Sequence, residues 1–87
     1  MDEIRTPAED DTAIEATVLR QLLSLHPVQV TLDELHRELG IEPEDFAERD
    51  AVERAVRDLV AAGLAHRRDE FVIPTRAALR LDELLCR

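Results

Sequence analysis

The side chains with the most distinctive chemistry in this chain are its arginines. All eleven Lys and Arg positions are arginine, and eight of them lie between residues 49 and 87, where they accompany seven acids. A guanidinium is permanently charged and pairs bidentately with carboxylates and phosphates. The preceding residues are strongly acidic, and the whole chain has a net charge of −9. The charge is therefore polarised, with an arginine-bearing second half after an acidic first half.

Other reactive side chains form no recognisable constellation. His26, His36 and His66 fall in different predicted elements without the spacing of a metal site, so we expect surface or half-buried imidazoles. The carboxylates are accompanied by no Gly-rich phosphate loop and no nucleophile motif. We therefore expect no enzyme activity, no cofactor and no metal. The excess of acid also argues against binding nucleic acid through bulk charge, because that depends on basic residues displacing counterions.

The length and composition predict one small α-rich domain. A chain of 87 residues supports one core, and the near absence of aromatic residues leaves Leu, Val, Ile and Ala to build it. No run approaches the roughly 20 apolar residues of a membrane span, and the first residues are acidic, unlike a signal peptide. We expect a cytoplasmic protein with no membrane partner. The single Cys86 excludes an intrachain disulfide.

Capping patterns predict where the first helices begin. Residues 1–11 show no apolar periodicity and are expected to form a flexible acidic tail before a domain at 12–87. Thr12 with Glu15 matches a capping box and predicts a first helix that ends before Pro27. The alternative is an earlier start, with Thr6 as the cap and Pro7 at the first helical position.

A short strand and a second helix follow. Residues 28–30 alternate and predict a very short strand. Thr31 with Glu34 is a second capping box, and the second helix should end at Gly40, with Ile41 closing a Schellman contact. The acidic connection that follows contains Phe46, which we expect to anchor it to the core.

The third helix and a hairpin occupy the arginine-bearing half. Asp50 with Glu53 predicts a cap, and the helix over 50–62 should end at Gly63. Residues 64–68 and 71–75 predict strands joined near Asp69-Glu70 by a small or irregular loop, with Pro74 at a sheet edge.

Thr75 can cap a last helix that has two apolar faces. One face is predicted to pack in the domain and carries Ala77, Ala78, Leu81, Leu84 and Leu85. The other carries Leu79 and Cys86, which we interpret as a contact to a second copy or another partner. The alternative is a single frayed leucine and a free thiol.

This order of elements is that of a winged helix-turn-helix: mainly α, with a short first strand and a small β-hairpin. From about Thr12 to Leu85 the chain resembles the small bacterial winged-helix regulators, such as the multiple-antibiotic-resistance and PadR-like groups. The segments that carry the resemblance are Val30-Thr31-Leu32-Asp33-Glu34-Leu35, Leu59-Val60-Ala61-Ala62-Gly63-Leu64-Ala65-His66-Arg67 and Phe71-Val72-Ile73-Pro74-Thr75.

The resemblance implies DNA binding in transcriptional regulation, by a homodimer. The helix over 50–62 would enter the major groove, and the hairpin, or wing, would lie along the backbone. The nucleic-acid contacts it implies are Arg54 and Arg57 on the helix, Arg67 and Arg68 on the wing, with Arg49 and Arg76 at the flanks.

The same residues also permit an interpretation without DNA. Asp50 and Asp58 lie four residues either side of Arg54, a spacing typical of intrahelical ion pairs on a solvated face. Asp69 and Glu70 follow the wing arginines directly, as in a charged hairpin that resists edge-to-edge aggregation. The alternative function is an acidic winged-helix protein-interaction module that does not bind DNA.

Overall fold

The structure is a computed structural model that describes residues 7–86. It is mainly helical with a small antiparallel sheet, as predicted. The sheet has three strands in the order β1-β3-β2. In chain order the elements are α1 (Pro7–Leu25), β1 (Val30–Thr31), α2 (Leu32–Glu38), α3 (Phe46–Ala61), β2 (Ala65–Arg68), β3 (Phe71–Pro74) and α4 (Arg76–Leu85).

Helix α1 begins at Pro7, earlier than the preferred prediction. The expected tail over 1–11 is therefore wrong for 7–11, which are helical, and residues 1–6 lie outside the described part of the chain. Thr12 lies inside the helix and is not its cap. The alternative start at Pro7 is confirmed, because proline is favourable at the first helical position and Asp10 lies in the first turn, where it complements the helix dipole.

Helix α2 has the predicted ends. The Thr31 hydroxyl accepts from the Glu34 amide at 3.1 Å, and the Glu34 carboxylate accepts from the Thr31 amide at 2.8 Å. These bonds lower the pKa of Glu34. At the other end the Ile41 amide donates to the His36 carbonyl and the Gly40 amide to the Arg37 carbonyl, which is the predicted Schellman motif.

Helix α3 is longer than predicted at its start. Its cap is Asp45, whose carboxylate accepts from the Glu48 amide at 3.2 Å, so the expected cap at Asp50 is wrong. Phe46 opens the helix and is 74% exposed, so it does not anchor the connection to the core. The predicted end at Gly63 is confirmed, with φ of +81°.

The hairpin and α4 are joined to the end of α3 by Thr75. Its hydroxyl donates to the Gly63 carbonyl at 2.7 Å and accepts from the Ala78 amide at 3.2 Å, which confirms it as the α4 cap. The strands meet at Asp69-Glu70, where Asp69 has φ of +57°. Pro74 belongs to the central strand rather than to an edge, but it lies beyond the residues that pair with β1, where its missing N–H costs nothing.

The first strand covers Val30–Thr31, shifted from the predicted 28–30, and pairs with Val72 and Phe71 of β3. Val28 lies outside it and is 66% exposed.

The core lies between α1, α3 and the sheet. Its buried apolar side chains are Val18, Leu22, Val30, Leu35, Val52, Ala55, Val56, Leu59, Ala65 and Val72. All are aliphatic, as the composition predicts. This core fixes α3 by one face and leaves the opposite face of the helix at the surface. None of the described helices is long and apolar enough to cross a bilayer.

Candidate nucleic-acid interface

The exposed face of α3 carries two of the predicted contact residues. Val52, Val56 and Leu59 recur at helical spacing and are buried against the core, so the intervening positions must point outward. Arg54 and Arg57 occupy such positions and are exposed. The two side chains nevertheless meet different neighbours, because they lie on opposite flanks of this outward face.

On one flank, α3 and β2 form a cleft of about 190 Å³. The residues that line it are Glu53, Val56, Arg57, Val60 and Arg67. The structure therefore brings Arg57 of the helix together with Arg67 of the hairpin. Among residues 7–86, neither guanidinium forms a salt bridge, so both remain open to an external anion. Glu53 shares the cleft and interrupts its positive charge.

On the other flank, α3 faces acidic side chains of α1. The Arg54 guanidinium lies 4.0 Å from the Asp11 carboxylate, and both side chains remain about half exposed. Asp58 approaches Glu15, whose pKa is raised by burial first and then by the charge and hydrogen bond of Asp58. Arg54 therefore lies near Asp11 of α1, in place of the intrahelical ion pairs that its spacing from Asp50 and Asp58 suggested. Asp58 lies near Glu15 of α1.

Arg49 has a partner inside the domain. Its guanidinium donates to the Asp33 carboxylate of α2 at 3.1 Å, and its side chain is 26% exposed while that of Asp33 is 80% exposed. This bond joins the first turn of α3 to α2. A DNA contact from Arg49 would have to compete with that intramolecular bond.

The other two arginines predicted to contact nucleic acid are Arg68 and Arg76, which lie at the surface before and after β3 in the chain. Arg68 ends β2 and is exposed beside Asp69 and Glu70, while Arg76 is exposed at the first position of α4. The structure does not place either of them in the cleft of Arg57 and Arg67.

His36 departs from the expected surface or half-buried imidazole. It is only 1% exposed, and within the described residues neither ring nitrogen has a hydrogen-bond partner of good geometry, although the Arg49 backbone lies close to the ring. Burial lowers the pKa of His36, the Arg49 charge lowers it further, and Glu53, the Arg49 backbone and Asp33 oppose these effects. The sequence contained a signal for this burial, because His36 follows Leu32 by four positions on the apolar stripe of α2.

The packing of α4 agrees with the prediction at Ala78 and differs from it at Leu79, Leu81, Leu84 and Leu85. Ala78 is buried and Leu79 is half-buried, so the Leu79 side packs in the domain. Leu81, Leu84 and Leu85 are 44%, 59% and 74% exposed. Cys86 is exposed, and its thiol donates to the Asp82 carboxylate at 3.2 Å, which raises the pKa of the thiol. The apolar face open to a partner is thus that of Leu81, Leu84 and Leu85.

No cluster of three or more potential metal ligands occurs in the described part of the chain. Comparisons with protein-family models, with curated proteins and with solved structures found no match for this chain.

Proposed function

We propose that the chain is a winged-helix domain that binds duplex DNA through α3 and the β2–β3 hairpin and acts in transcriptional regulation in the cytoplasm. The order of elements supports the winged helix: a strand before α2, a helix α3 that ends at Gly63, and a hairpin directly after it. In this arrangement α3 enters the major groove and the hairpin follows the backbone.

The observation that carries the proposal is the cleft shared by Arg57 and Arg67. Two arginines from different elements line it, and neither has an ion-pair partner among residues 7–86. Phosphate oxygens are suited to such a site because a guanidinium donates to them bidentately.

The arginines differ in their proposed roles. Arg57 contacts a base or a phosphate in the groove, while Arg67 and Arg68 contact the backbone from the wing. Arg54 contributes after it leaves Asp11, a weak contact at 4.0 Å between half-exposed groups. Arg49 supports α3 through Asp33, and Arg76 is a peripheral contact.

The test is fluorescence anisotropy with a labelled random 20-bp duplex, using the full chain at low salt. Arg57→Ala and Arg67→Ala should each weaken binding about 10-fold, because hydrogen bonds to charged groups contribute about 1.5–3 kcal/mol. Arg20→Ala and Arg37→Ala are matched controls that remove the same charge from exposed positions on α1 and α2. Equal effects of all substitutions, or no binding by the unsubstituted chain, would contradict the proposal.

A homodimer through α4 belongs to this proposal. The exposed apolar face of Leu81, Leu84 and Leu85 fits the same face of a second copy, because a two-fold interface pairs one surface patch with itself.

Sedimentation velocity over a range of concentrations tests the dimer. The full chain should show a concentration-dependent dimer that Leu84→Glu abolishes. Val28→Glu is the matched control, because Val28 is similarly exposed in the connection between α1 and β1. A monomer at all concentrations would overturn the assignment.

A second candidate function is a protein-interaction module that does not bind DNA. The approach of Asp58 to Glu15, with Asp11 nearby, favours it, because these carboxylates make an acidic surface beside α3 that suits a basic partner. The anisotropy titration separates the two functions, since only the DNA-binding module shows salt-dependent binding to the duplex.

A further inference from the structure

The side chains on the exposed face of α3 restrict which bases the helix can read. Residues 46–61 contain no Asn, Gln, Ser or Thr. Bidentate reading of adenine uses Asn or Gln, so the helix lacks the groups for it. The hydrogen-bonding groups that remain are guanidinium donors and carboxylate acceptors. In the major groove these groups suit guanine and cytosine respectively.

Glu53 and Arg57 are placed to act as a pair. They line the same cleft and lie four residues apart on one face of α3, which separates their attachment points by about 6 Å along the helix axis. Neighbouring bases along a strand are roughly 3.4 Å apart, so the two side chains reach base pairs no more than about two steps apart.

Glu53 is the discriminating member of this pair. It is exposed and forms no salt bridge with another described residue. An ionised carboxylate only accepts hydrogen bonds, so guanine O6 and N7 and thymine O4 repel it. Cytosine offers its N4 amino group as a donor. Adenine also has an amino donor, but its neighbouring N7 acceptor opposes the carboxylate.

We infer that α3 selects G·C base pairs, with Arg57 donating to guanine O6 and N7 and Glu53 accepting from cytosine N4 at a nearby pair. This inference rests on the proposed DNA binding and specifies the class of sequence that the domain prefers. Arg67 binds phosphate across the cleft and contributes no base preference. Glu53 weakens the positive charge of the cleft, and its proposed role is to recognise cytosine.

The test is selection of bound sequences from a random 20-bp duplex library, followed by affinity measurements on single-base variants of the selected site. The full chain should enrich G·C pairs. Glu53→Gln should convert one C·G preference to A·T, with a change in relative affinity of about 10-fold, because Gln pairs bidentately with adenine. Glu70→Gln is the control: it removes the same charge at the hairpin tip and should leave every base preference unchanged.

The outcomes separate this inference from the function on which it rests. Salt-dependent duplex binding without enrichment of G·C pairs would overturn the inference and leave DNA binding intact. The same applies if Glu53→Gln keeps the original preference at every position while its circular dichroism spectrum is unchanged. Failure to bind any duplex would overturn DNA binding itself and this inference with it.

Discussion

Thr75 is the residue whose replacement tests the connection between α3, the hairpin and α4 most simply. Its hydroxyl makes two hydrogen bonds, one to the Gly63 carbonyl at the end of α3 and one to the Ala78 amide in the first turn of α4. Thr75→Ala removes both. Thr75→Ser retains the hydroxyl and loses only a methyl group, so it is the matched control.

The expected loss follows from these bonds. Replacement of a threonine cap by alanine costs about 1 kcal/mol. The bond to Gly63 lies at the surface, where water replaces the lost partner, so we take about 0.5 kcal/mol for it, the low end for a net hydrogen bond. The sum is about 1.5 kcal/mol. For a domain of this size the melting temperature should fall by about 6–12 °C.

Urea unfolding followed by circular dichroism at 222 nm measures this loss, since the chain has no Trp or Tyr to report by fluorescence. Thr75→Ala should be less stable than the unsubstituted chain by the stated amount, and Thr75→Ser should lie close to it. A loss below about 0.5 kcal/mol in Thr75→Ala, or an equal loss in Thr75→Ser, would refute the role of the two hydrogen bonds.

Three further predictions concern substitutions at His36, Gly63 and Glu15. Burial lowers the pKa of His36, so the folded protein binds fewer protons than the unfolded chain and the free energy of unfolding should fall between pH 7 and pH 5; His36→Leu should lose this dependence in urea titrations. Gly63→Ala should cost about 1 kcal/mol by thermal unfolding, because φ is +81° and no neighbour crowds the added methyl; an unchanged midpoint would contradict it. The raised pKa of Glu15 means that folding disfavours its ionised form, so Glu15→Gln should raise the urea midpoint at pH 7 and lose that advantage at pH 4; a lower midpoint at pH 7 would contradict this.

Local patterns predicted the parts of the fold that depend on a few neighbouring residues. The capping box of Thr31 and Glu34, the helix ends at Gly40 and Gly63 and the cap at Thr75 all appear as predicted. Each is decided by backbone hydrogen bonds within a few positions. For α3 the pattern of Asp50 with Glu53 predicts the wrong cap, because Asp45 has the same spacing from Glu48 and begins the helix earlier.

The assignment of faces failed where packing against another element decides it. The widest apolar stripe of α4 is predicted to be buried, yet only its member Ala78 is buried. Leu79, from the other face, packs inward while Leu81 stays exposed, because the Thr75 bond to Gly63 fixes how the helix is attached. The arginines show the same limit. Spacing along α3 predicts that Arg54 pairs with acids of its own helix, whereas among the described residues its guanidinium pairs with Asp11 on α1.

The salt dependence of duplex binding tests the central proposal most directly. The logarithm of the association constant should fall linearly with the logarithm of salt concentration. The slope should shrink by about 1 in the Arg57→Ala, Arg67→Ala double variant, because the phosphate contact of Arg67 is lost while Arg57 contacts a base. The Arg20→Ala, Arg37→Ala double variant should keep the original slope. A slope that is the same in all three proteins, or no duplex binding at any salt concentration, would contradict DNA binding through the cleft of α3 and β2.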